Sequence, residues 1–64
     1  MSDFKSRLND EKVELDSKIE KLDSFLKSDN VKNIDSVQFS LLNVQSQVMK
    51  TYSQILEERI TLLN

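Results

Sequence analysis

No glycine and no proline occurs anywhere in these 64 residues. Tight hairpins, β-bulges and phosphate-cradling loops depend on those two residues. Their absence predicts helices joined by a short connection and argues against Gly-rich nucleotide motifs. Charge then separates the chain into two unlike halves. Residues 1–28 carry thirteen charged side chains, whereas residues 36–56 carry one, Lys50. Both stretches have helical spacing, so the first reads as a solvated helix and the second as a helix covered on most sides.

The first helix is expected from about residue 3 to residue 28. Leu8, Leu15 and Leu22 recur every seven residues, Ile19 and Leu26 fill the alternate seam position, and Lys12 interrupts that second row. Phe4 and Phe25 flank the seam. Ser2 is the expected N-cap. Glu14 with Lys18 and Asp23 with Lys27 are i,i+4 pairs in the favoured order. Lys5, Arg7 and Lys12 lie among acids and read as solvated. In the connection 28–34, Asn30 or Asn33 is expected to take the left-handed conformation that glycine would otherwise supply.

The second helix is expected from about residue 36 to residue 62. Asp35 fits its N-cap, with Gln38 at the third position to reach back and Ile34 placed to staple onto Phe39. One heptad row is Leu42, Met49, Leu56 and Leu63, and beside it runs Leu41, Val48, Ile55 and Leu62. Val37, Phe39, Val44 and Ile60 widen the apolar surface. Fold class follows: an all-α, antiparallel two-helix hairpin, one domain over residues 1–64. A single core in so short a chain rarely supplies more than about 3–5 kcal/mol. With no cysteine or histidine, disulfides and Cys/His zinc sites are excluded. Oligomerisation remains, so a homo-oligomeric bundle is expected, with Leu42, Met49, Leu56, Leu63, Leu41, Val48 and Ile55 as the interface.

Functional residues are sparse. Without His or Cys the familiar nucleophile and metal constellations are missing, and neighbouring carboxylates on a helix point apart. The expectation is therefore no enzyme, no catalytic residue, no metal and no cofactor. Net charge of −2 offers no field for duplex nucleic acid, and no apolar run approaches the roughly 20 residues that span a bilayer. Residues 1–5 lack a signal-peptide core, so a soluble intracellular protein is expected. One polar row, Gln45, Tyr52 and Arg59, lies beside the apolar stripe and admits two readings. The residues fix register at an interface, or they form a binding surface in which Tyr52 stacks and Arg59 takes a phosphate or carboxylate. Lys50 reads as marking the solvent side.

The pattern Leu8, Leu15, Ile19, Leu22, Phe25, then Leu41-Leu42, Gln45, Met49, Tyr52, Leu56 and Arg59-Ile60 resembles small phage and prophage proteins grouped with a crAss-like phage protein. Gln45, Met49 and Tyr52 are the most distinctive part, and the likeness spans Phe4 to Ile60. The resemblance implies a phage accessory protein in the host cytoplasm. Such proteins act against host defences by binding a protein or by soaking up a cyclic nucleotide signal between protomers. A structural factor for virion assembly is the third alternative.

Overall fold

The computed structural model describes residues 3–63. Helix α1 spans Asp3–Leu26, a short 3-10 segment covers Asp29–Asn33, and α2 spans Ser36–Thr61. The two helices lie antiparallel in a rod of 47 × 15 × 13 Å. This is the expected all-α hairpin, and among the described residues there is no strand.

Helix α1 stops two residues earlier than its apolar spacing implied. The Ser28 hydroxyl donates to the Phe25 carbonyl at 2.7 Å, and the Ser28 amide donates to the same oxygen at 3.0 Å. Ser28 itself is extended, with φ −88° and ψ 165°. The chain then turns right-handed: the Val31 amide donates to the Ser28 carbonyl and the Ile34 amide to the Val31 carbonyl, each at 3.3 Å. No described residue has positive φ, so neither Asn30 nor Asn33 is left-handed. The 3-10 turn reverses the chain without the strain a side chain suffers there.

Asp35 is the N-cap of α2, extended at φ −72° and ψ 160°. Its Oδ1 accepts from the Val37 amide at 2.6 Å and the Gln38 amide at 3.1 Å. Such a cap is worth about 1 kcal/mol. The proposed Ser2 cap of α1 lies outside the described residues.

Packing between the helices corrects the seam. Leu42, Met49 and Leu56 do face α1, and Leu56 is fully buried. The row beside them is not Leu41, Val48, Ile55 and Leu62, all of which are exposed. Ser46 and Ser53 turn inward instead, with 3% and 8% exposure, and Ile60 is half-buried on the same line. On α1, Leu8 is buried and Leu15, Ile19, Leu22 and Leu26 are half-buried. Serines win the inner position because a small side chain lets two helices approach while its hydroxyl bonds across the gap. Leucine or valine there would hold the helices apart.

Candidate functional site

Two features remain once the hairpin is closed: a polar ladder inside it and an apolar face outside it. The ladder comes from residues whose spacing matches across the seam. Ser46 Oγ donates to Asp23 Oδ1 at 2.7 Å, and Ser53 Oγ donates to Asp16 Oδ1. Seven residues separate the partners on each helix, which gives an antiparallel register with a cross-brace every two turns. Lys50 Nζ reaches Asp23 at 3.0 Å. Lys12 Nζ donates to Asp16 Oδ2 and to Ser53 Oγ, both at 2.9 Å, and lies 3.8 Å from Glu57.

This ladder bears on three sequence expectations. Lys12 is not on the solvated face but half-buried in the seam. Lys50 is exposed, as expected, and also reaches across from α2 to Asp23 on α1. Asp23 forms its ion pair across the hairpin, with Lys50, and the Lys27 charge one turn along α1 adds a weaker attraction. A Ser–Lys pair can serve nucleophilic chemistry when the lysine accepts the serine proton. Here the Ser53 proton goes to Asp16, and Lys12 acts only as a donor, between carboxylates. The geometry makes the trio a brace.

Both aspartates are held below the ordinary aspartate pKa. For Asp16 the Ser53 hydroxyl is the main cause, followed by the Lys12 hydrogen bond. For Asp23 the Ser46 hydroxyl leads and Lys50 follows. A carboxyl whose folded pKa is depressed adds stability above its unfolded value, near 3.9, and loses it as pH falls through the folded value. The urea midpoint of the wild type should therefore fall as pH drops below about 4. The double variant Asp16→Asn, Asp23→Asn should lose less over the same interval. Equal acid losses in the two proteins would mean that other carboxylates carry the effect.

The row singled out by sequence is divided by the structure. Tyr52 Oη donates to Glu11, and Arg59 sits with its guanidinium carbon 6.0 Å from the centroid of the Phe4 ring. Both reach across to α1. Gln45 is exposed and touches Met49 Sδ at 3.9 Å. The two bridging residues thus have structural partners, yet both remain exposed. Sequence reasoning missed Asp16, Asp23, Ser46 and Ser53. Their shared seven-residue spacing was the available signal.

Of the seven residues expected at an oligomer interface, Leu42, Met49 and Leu56 are spent inside the hairpin, with Leu56 entirely so. Leu41, Val48, Ile55 and Leu63 stay exposed, together with Val37, Val44 and Leu62. In the middle of this outer face is an open groove of about 330 Å³ lined by Gln47, Val48, Thr51, Tyr52 and Ile55. No group of three or more acidic, His or Cys side chains among the described residues could hold a metal. No helix among them is long and apolar enough to cross a membrane.

A protein-family model described as Sequestin matches residues 2–62. No curated protein and no solved structure matches the chain.

Proposed function

Because the chain belongs to the Sequestin family, we propose that it works by binding and not by catalysis, holding a host component out of action. In this reading it is a phage accessory protein of the host cytoplasm, and the component is a protein of the host's defences. The outer face of α2 carries the proposal. Residues 36–56 hold one charge, Lys50, which is committed to Asp23, so this face is uncharged over that stretch, exposes Val37, Leu41, Val44, Val48 and Ile55, and carries a groove at its centre. Contiguous exposed apolar surface of this kind marks an interaction site. The family's description, read as a word, points to sequestration.

A second reading, a cyclic nucleotide signal as the cargo, has one observation in its favour. Tyr52 lines the groove, and Arg59 follows seven residues later on the same helix. Two helical turns, about 10 Å, match the reach from a base to its phosphate. A thermal-shift screen against cyclic di- and trinucleotides separates the readings. A cargo at a hundredfold excess over Kd raises stability by about 2.7 kcal/mol. A shift with any nucleotide selects the second reading, and no shift with any selects the protein. Whichever cargo is bound, denaturing the complex should release it chemically unchanged. Release of an altered cargo would overturn the binding reading.

A further inference from the structure

We propose that Glu11, on α1, is a positioning residue for the groove on α2: its carboxylate holds the Tyr52 ring as a side wall and so keeps the groove open. The inference rests on the reading that this groove receives the cargo. Val48, four residues before Tyr52, and Ile55, three after it, are its neighbours on the surface of α2, and all three line the groove. Thr51 spends its hydroxyl on the Gln47 carbonyl, 3.1 Å away on the same helix. A tyrosine at such a place can lie back over its apolar neighbours, which fills the groove, or extend sideways, which leaves it open. Here it extends sideways: Tyr52 Oη donates to Glu11 of the other helix.

Register brings the carboxylate there. Glu11 follows Phe4 by seven residues and Tyr52 precedes Arg59 by seven, so the two cross-helix contacts form one row. The Asp16–Ser53 and Asp23–Ser46 bonds fix the same antiparallel alignment independently. A hydrogen bond between two exposed side chains ordinarily gains little over water. This one has an ionised acceptor, which strengthens it, and the ladder supplies its alignment in advance. Glu11 is exposed and Tyr52 keeps 41% of its surface accessible, so the ring stays available to a cargo while its oxygen is held. The groove is thereby a property of the closed hairpin, although all five residues that line it lie on α2. A ring already held spares the cargo the cost of ordering it, which corresponds to about two- to tenfold in affinity.

The test uses the full chain. Tyr52 is the single tyrosine in a chain without tryptophan, so fluorescence excited beyond the phenylalanine band belongs to it alone. In the wild type its anisotropy should decay only with tumbling of the whole protein. Glu11→Ala should add a fast component, the picosecond-to-nanosecond motion of a freed side chain. Glu11→Gln, whose amide oxygen still accepts from the phenol, should restore the wild-type decay. The groove itself is probed with the uncharged dye N-phenylnaphthylamine, read by energy transfer from Tyr52 so that only dye near the ring counts. The dye should bind Glu11→Ala about two- to tenfold more weakly than the wild type, and Glu11→Gln as well as the wild type. The two variants carry the same charge, so a difference between them reads the hydrogen bond alone. Because Glu11 is exposed, both should keep the helical circular dichroism of the wild type. An alanine variant with wild-type anisotropy and dye affinity overturns the proposal, and so does a glutamine variant that behaves as the alanine one. Failure of the cargo reading looks different: the dye then binds none of the three proteins, while the fast decay still appears in Glu11→Ala alone. Glu11 then stands as the residue that holds the ring, and the groove is not where a cargo binds.

Discussion

Leu56→Ala should lower stability by about 2–5 kcal/mol, the range for truncating a buried leucine. Leu56 has no exposed surface in the hairpin, and Leu8, at 5%, is the other buried apolar side chain among the described residues. A core with so few members has little to redistribute into a cavity. The expected loss also approaches everything that a domain of this size draws from its core, roughly 3–5 kcal/mol. Much of the variant should therefore be unfolded at room temperature. Urea melts at one fixed protein concentration measure this, because association would otherwise shift the midpoint. Val13→Ala, at an exposed site on α1, is the control and should stay within about 0.5 kcal/mol of wild type. If Leu56→Ala behaves like the control, Leu56 is not the keystone of the seam.

The hairpin was legible because its signals are local. Periodicity gave both helices, and Asp35 gave the start of α2, since a side chain that accepts amides two and three residues ahead needs no tertiary context. Leu42, Met49 and Leu56 were legible as a seam for the same reason. What stayed hidden was which of two flanking rows turns inward. Apolar patterning favoured Leu41, Val48 and Ile55, and the structure buries Ser46 and Ser53 instead. That choice depends on how close two helices come and on which partner faces each hydroxyl. Neither quantity is written in one helix alone. Lys12 was misplaced by the same logic: it looked solvated on its own helix, and its contacts with Ser53 and Glu57 form only across the gap. The row Gln45, Tyr52 and Arg59 was correctly seen to lie beside the stripe. Its partners on α1, Glu11 for Tyr52 and Phe4 for Arg59, required the register.

Ser53→Leu puts that account at risk, because apolar patterning and the observed seam predict opposite signs. Leucine at position 53 would extend an apolar row toward Ile60 and has the better helix propensity, so patterning alone expects a gain. In the hairpin, Ser53 is buried and its hydroxyl both donates to Asp16 and accepts from Lys12. The larger side chain has to push α1 away, at about 1–3 kcal/mol for overpacking. It also removes the hydroxyl, worth about 0.5–1.5 kcal/mol, and leaves Asp16 short of its main partner. The expected net loss is about 2–4 kcal/mol. Ser53→Ala removes the hydroxyl without adding bulk, and should cost about 0.5–1.5 kcal/mol. The ordering wild type, then alanine, then leucine is what close packing requires. A leucine variant as stable as the wild type would mean that the helices stand far enough apart to admit it, and that the serine ladder does not set their spacing.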